Sequence, residues 1–221
     1  MHFRHTLIPV ALVIGLLSVR IHAQQSPPAG SSSSKNSKPE QHIKREPAGE
    51  LAEKVYRNAT YGFAYKIPYG WVERTREMQP DDPDAAKGDP AQGKVLLAVF
   101  ERPPEAPGET VNSAVVIAEE PASSYPGLKT AADYAGPVTE LATSKGFKAA
   151  GDPEAVTLDG KALVRCDFVR EAKLAMHQST LILLQKGSLV SFTFIGGSAE
   201  EVEDLMNELS FGGSPKGPAK K

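Results

Sequence analysis

The sequence predicts an α+β fold, a sandwich with a central antiparallel sheet of about six to eight strands and two main amphipathic helices. Three observations carry this reading. Lys161–Arg170, Met176–Gln185 and Leu189–Ile195 are β-like runs joined by short connections, too short for the crossover that parallel neighbours require. Two stretches, one within 130–145 and one after Ser198, repeat apolar residues at helical spacing. Helices with one apolar stripe, set beside an antiparallel sheet, bury that stripe by stacking in layers.

Taken in order, Val55-Tyr56 and Phe63–Ile67 open the folded part, the second run with Phe63, Tyr65 and Ile67 on one face. Tyr61-Gly62 and Pro68-Tyr69-Gly70 punctuate these runs as turns. Trp71–Glu77 reads as a third strand, and 78–93 (MQPDDPDAAKGDPAQG) as a long polar loop. Lys94–Glu101 and Ser113–Glu119 are strong strands separated by the Pro-rich ERPPEAPGET of 101–110. A helix is expected over Thr130–Lys145 from Tyr134, Val138 and Leu141, stopped by Gly146, with Gly136-Pro137 kinking it or delaying its start. The last helix is expected to begin at Ser198, with Glu201 completing a capping box and Val202, Leu205, Met206 and Leu209 forming its stripe.

Of the 221 residues, 1–23 read as a signal peptide: Arg4 before an apolar run of eleven, Leu7–Leu17, then Ala23 at the cleavage position. A spanning helix needs about 20 apolar residues. The protein is therefore expected to be secreted or periplasmic, with no stable membrane insertion after cleavage. No Cys stands close behind the apolar run, the single one being Cys166, so a bacterial lipoprotein anchor is not expected. Residues 24–50 read as a disordered linker, with Ile43 their one large aliphatic residue. The folded domain is placed at 51–213, and 214–221 reads as a basic disordered tail carrying Lys216, Lys220 and Lys221. Residues 51–214 hold 16 basic and 24 acidic side chains, a net of −8. That sign repels a phosphate backbone, so no nucleic-acid partner is expected.

Tyr56-Arg57-Asn58, Tyr61-Gly62-Phe63, Ile67-Pro68 and Gly70-Trp71 together read Y-R-N-x-x-Y-G-F-x-Y-x-I-P-x-G-W. This resembles the opening of the PsbP-like superfamily. The resemblance continues through Asp133-Tyr134, Gly160-Lys161-Ala162 and Ser191-Phe192-Thr193-Phe194 to Leu209-Ser210-Phe211. It implies an α/β/α sandwich and a binding or assembly role, and it supplies no catalytic residues. Fold alone does not settle function, because that superfamily serves several unrelated roles.

The residues give little support for catalysis. Of the histidines at 2, 5, 22, 42 and 177, only His177 lies in the domain, which rules out a multi-histidine metal centre within it. Alternation puts Ala162, Val164, Cys166 and Phe168 on one strand face, making Cys166 a buried thiol rather than a nucleophile paired with His177. Asp81, Asp82, Asp84 and Asp89 fail the calcium-loop pattern, since Ala86 and Lys87 occupy positions that need a ligand and a glycine. No phosphate-binding or dinucleotide-binding glycine motif and no nucleophile elbow is present. Asn58-Ala59-Thr60 is formally a glycosylation sequon and is read as a turn asparagine.

The expectation is an exported, non-catalytic binding or assembly module of the cell envelope, with no cofactor and no metal. Its partner is an unknown protein, with a basic surface favoured. The alternatives are a small-ligand or ion carrier, and an envelope hydrolase with an unrecognised carboxylate or serine site. The candidate partner-binding surface is the pair of acidic loops, with Asp81, Asp82, Asp84 and Asp89 in one and Glu101, Arg102, Glu105 and Glu109 in the other. Loops this long are uncommon in compact domains unless functional or disordered.

Overall fold

The computed structural model describes residues 50–52, 55–79 and 93–212. The expected signal peptide, the linker up to residue 49, residue 213 with the expected tail 214–221, and the stretch 80–92 lie outside the described residues, and with that stretch go Asp81, Asp82, Asp84 and Asp89.

Two antiparallel sheets are stacked. The smaller has four strands in the order β1-β2-β3-β12, from β1 (Glu50–Ala52), β2 (Val55–Asn58), β3 (Phe63–Lys66) and β12 (Leu209–Phe211). The larger has eight: β4 (Val72–Glu73), β5 (Lys94–Phe100), β6 (Ala114–Pro121), β7 (Lys148–Ala149), β8 (Glu154–Leu158), β9 (Lys161–Arg170), β10 (Met176–Gln185) and β11 (Ser188–Gly196). Their order is β4-β5-β6-β11-β10-β9-β7, with β8 also paired to β9. The two helices are α1 (Ala135–Ser144) and α2 (Ala199–Asn207).

The sheet has two different faces because side chains alternate along each strand. On one face Leu97, Val99, Val115, Ile117, Phe192 and Phe194 pack with Phe63, Tyr65 and Phe211 of the small sheet and with Val202 and Leu205 of α2. Trp71 lies half-buried against this cluster, so the aromatics of the opening motif serve the core. On the other face Val164, Cys166, Phe168, Ile182 and Leu189 meet Tyr134, Val138 and Ala142 of α1 and its lead-in. Each fully buried side chain of this size contributes about 1.5–3 kcal/mol.

The β8–β9 and β10–β11 hairpins turn on Asp159-Gly160 and Lys186-Gly187, all four residues at positive φ (49°, 79°, 55° and 78°). Two consecutive left-handed residues make the type I′ turn, whose twist matches that of the flanking strands.

Several expected elements differ. The strand expected over Trp71–Glu77 is only the two residues Val72–Glu73, after which the chain turns and runs along β5, held by the Arg74 N–H on the Ala98 carbonyl at 2.8 Å and by side-chain contacts. Thr75 Oγ1 accepts the Ala98 N–H at 3.0 Å, and the Gln79 amide spans the Val95 carbonyl and N–H at 2.7 and 3.2 Å. The helix expected over Thr130–Lys145 is a 3-10 turn, Ala131–Tyr134, followed by α1, which begins at Ala135. Pro137 lies in its first turn, where a missing N–H costs nothing. At α2, Ser198 accepts the Glu201 N–H at 3.1 Å, but the Glu201 carboxylate takes the Gly197 N–H at 2.8 Å instead of closing the box. Leu209 leaves the helix and enters β12.

Candidate functional site

Of the expected loop residues, Glu101, Arg102, Glu105 and Glu109 fall within the described chain, between β5 and β6. Pro103, Pro104 and Pro107 remove three N–H donors from this segment, so side chains must hold it in shape. Arg102 does so. Its Nη1 donates to Glu101 Oε2 (3.2 Å), Thr110 Oγ1 (3.3 Å) and the Val111 carbonyl (3.4 Å), and its Nη2 to the Thr110 carbonyl (2.5 Å). Its backbone is clamped as well: the Arg102 N–H donates to Asn112 Oδ1 at 3.1 Å, and Asn112 Nδ2 donates back to the Arg102 carbonyl at 3.0 Å. Gly108 lets the guanidinium lie against the backbone, because a Cβ there would sit 2.5 Å from Nη2.

Arg102 therefore faces into its own loop. Glu105 is tied to Arg74 at 3.3 Å, and Arg74 to Glu77 at 3.3 Å, which joins the loop to the turn before residue 80. Glu109 is exposed. Counting Glu77, Glu101, Glu105 and Glu109 against Arg74 and Arg102, this end of the molecule carries a net of −2.

The base of the other loop, Gln79 and Lys94, lies at the opposite end of β5, on the order of 20 Å away at about 3.3 Å per residue. There a cleft of about 510 Å³ opens between the β2–β3 turn, the turn at 75–79 and the start of β5. Its wall is polar and largely self-satisfied. Glu119 accepts from the Tyr61 hydroxyl, from Ser188 Oγ at 3.1 Å, and pairs with Lys94 at 3.1 Å. Asn58, 3% exposed, takes the Tyr61 N–H at 3.1 Å and donates to the Tyr56 hydroxyl at 3.3 Å. The sequon asparagine is thus a buried turn residue.

The remaining polar groups that chemistry could recruit are placed as follows. Cys166 is 3% exposed, and burial, followed by the nearby Asp167 charge, pushes its thiol up to about 11. Its cross-strand partner is Thr180, whereas His177 pairs with Val169. Residues 177 and 180 are an odd number apart, so Cys166 and His177 lie on opposite faces of the sheet. Ser179 donates to Asp167, which Arg165 Nε grips at 2.9 and 2.8 Å, and Arg165 reaches Glu203 of α2 at 2.5 Å. The guanidinium thus ties Asp167 of the sheet to Glu203 of the helix, and the cluster reads as a lock between the two. Glu120, 5% exposed, accepts from the Tyr125 hydroxyl and from Tyr134 at 2.9 Å. Burial first, then the Glu120 charge, raises the Tyr134 phenol above its ordinary range. Among the described residues no three His, Cys, Asp or Glu are grouped to hold a metal ion, and no helix is long and apolar enough to cross a membrane.

The inward turn of Arg102, the side-chain cover of β5 and the Glu119 network were not foreseen from the sequence. The one local signal was Gly108, six residues after Arg102 in a proline-rich loop.

No family model and no curated protein matches the chain. Among solved structures, the chain is similar to the cyanobacterial PsbP protein CyanoP of Synechocystis, at 15% identity over 75% of this chain and 99% of that one, with a TM-score of 0.47. It is similar to the Ran-binding protein Mog1p of Saccharomyces cerevisiae, at 11% identity over 72% and 85% of the two chains, TM-score 0.41. It is also similar to LpqN of Mycobacterium tuberculosis, a protein involved in cell envelope biogenesis, at 13% identity over 67% and 82%, TM-score 0.34.

Proposed function

We propose that the chain is an exported, non-catalytic binding or assembly module that acts through protein contacts at the braced acidic loop after β5. The observation that carries this reading is the inward-facing Arg102, which spends its guanidinium on fixing the loop while Glu109 stays exposed. A loop ordered before its partner arrives loses less entropy on binding than a free one. Its net negative charge steers a basic surface toward it, with an on-rate that falls as salt rises. The leader read at 1–23 supports an envelope or extracellular place of action. The polar cleft at the base of β5 favours the small-ligand carrier as the second reading, which ranks behind because its wall groups already bond one another.

Affinity capture from an envelope extract, read by mass spectrometry, identifies the partner. Arg102→Ala then separates charge from order. The variant removes one positive charge and leaves the loop more negative, so simple attraction would tighten binding to a basic partner. Loss of the brace is expected instead to weaken affinity by about tenfold, equivalent to roughly 1.4 kcal/mol. Tighter binding by this variant, or capture that survives Glu109→Lys in low salt, would move the site elsewhere.

A further inference from the structure

We propose that the outer edge of β8 pairs antiparallel with the same edge of a second copy of this chain. An open strand edge is a template for another strand, and proteins blunt such edges by shortness, side-chain cover or bulges. The other edges here show those devices. β4 and β7 have two residues each, and β1 has three. Beyond β4, the edge of β5 is covered by Thr75 and Gln79. The Phe211 N–H of β12 is taken by the Asp159 carboxylate at 3.0 Å. β8 has five residues, is paired among the described residues with β9 alone, and leaves Ala155 and Thr157 exposed.

The register fixes which groups are on offer. Leu158 and Lys161 flank the two-residue turn and so exchange both hydrogen bonds; the alternation then turns Leu158, Val156 and Glu154 toward β9. Ala155 and Thr157 point their N–H and C=O groups outward, four backbone groups in all. Pro153, the next outward position, has no N–H and limits the pairing to this stretch.

A second β8 meets these groups about a two-fold axis through Val156. Ala155 then faces Thr157 of the second copy, and Val156 faces itself. Glu154 faces Leu158, Asp152 faces Gly160 and Asp159 faces Pro153. No like charges oppose each other across the axis. A foreign extended peptide is less well served, because Ala155 and Thr157 are small and frame no pockets for its side chains. One five-residue strand pair buries less than the roughly 1,200–2,000 Å² of a standard interface, so the association is weak and depends on concentration.

Sedimentation equilibrium of the full chain over a wide concentration range tests this. A monomer–dimer equilibrium is expected. Ala155→Lys with Thr157→Lys sets like charges face to face twice and should weaken it at least tenfold. Ala155→Lys with Thr157→Glu sets opposite charges face to face and should restore or exceed the original strength. Both positions are exposed, and an unchanged melting temperature verifies each variant's fold. A monomer at every concentration, or equal behaviour of the two variants, overturns the proposal.

Discussion

Tyr65 shows that a side chain can be central to packing while one of its atoms works against the fold. It is 0% exposed, with its ring 6.2 Å from that of Phe194, and its hydroxyl finds no hydrogen-bond partner among the described residues. A buried polar group left unpaired costs about 1–3 kcal/mol, so removing it without changing the ring should help. Tyr65→Phe is expected to raise stability by about 1 kcal/mol, read as a higher urea midpoint at unchanged slope. Burial, and then the charge of Glu208, also raise this phenol above its ordinary value. The folded chain therefore holds the proton more tightly than the unfolded one. That contribution is complete below the ordinary tyrosine value of about 10 and is lost as pH rises beyond it. The phenylalanine variant should accordingly lose less stability in alkali than the parent. A lowered midpoint would mean that the hydroxyl has a partner that the packing does not reveal.

At the scale of elements, the 3-10 turn before α1 depends on one carboxylate. Asp133 accepts the backbone N–H groups of Lys129 (2.9 Å) and Thr130 (2.8 Å) and the Thr130 hydroxyl (3.0 Å). These bonds, the Lys129 one first, hold its pKa below the usual aspartate value. The stability they give is therefore present above the unfolded aspartate value, about 3.9, and is lost as pH falls through the lower folded one. Asp133→Asn should flatten the dependence of melting temperature on pH in that acid range, and an unchanged slope would remove Asp133 from the account. This element was half legible. Tyr134 and Val138 marked the buried face, but Gly136-Pro137 hid where the α-helical bonds begin. The β8–β9 hairpin was missed although Asp159-Gly160 between alternating residues is a strong turn signal, because Glu154–Leu158 holds only two large apolar residues. In sequence β12 looks like the end of a helix, since Leu209 continues the helical spacing and only pairing with β3 makes it a strand. The acidity of the loops was plain in the sequence. The inward direction of Arg102 was not, because the Thr110 and Val111 carbonyls meet it only once the loop has folded.

For the molecule as a whole, the question is whether two sheets with separate hydrogen-bond ladders behave as one unit. Their shared core argues that they do. Phe63 of β3, Phe192 of β11 and Phe211 of β12 form an edge-to-face trio, with centroids 5.0, 6.3 and 5.9 Å apart. Such pairs add about 0.5–1.5 kcal/mol each beyond area burial. Lys186 Nζ, at the β10–β11 turn, donates to the Thr60 carbonyl at the β2–β3 turn at 2.7 Å, pinning the same two layers at their rim. Among the described residues the small sheet buries its apolar side chains in this one cluster with the large sheet and α2, so it should not outlive that contact. A four-stranded sheet that loses its covered face is left with edges and water on both sides, which is rarely stable alone. Phe192→Ala empties a fully buried ring site in the large sheet and should cost about 3–5 kcal/mol. The seam between the layers and the large sheet can be followed in one experiment. Trp71, the single tryptophan, reports by fluorescence on the cluster shared by the two sheets, and far-UV circular dichroism reports mainly on the large one. In the parent and in Phe192→Ala the two urea transitions are expected to coincide, both moved to lower urea in the variant. If the tryptophan signal of the variant changed well before the dichroism, the small sheet would be a separable unit and the shared aromatic core would not couple the layers.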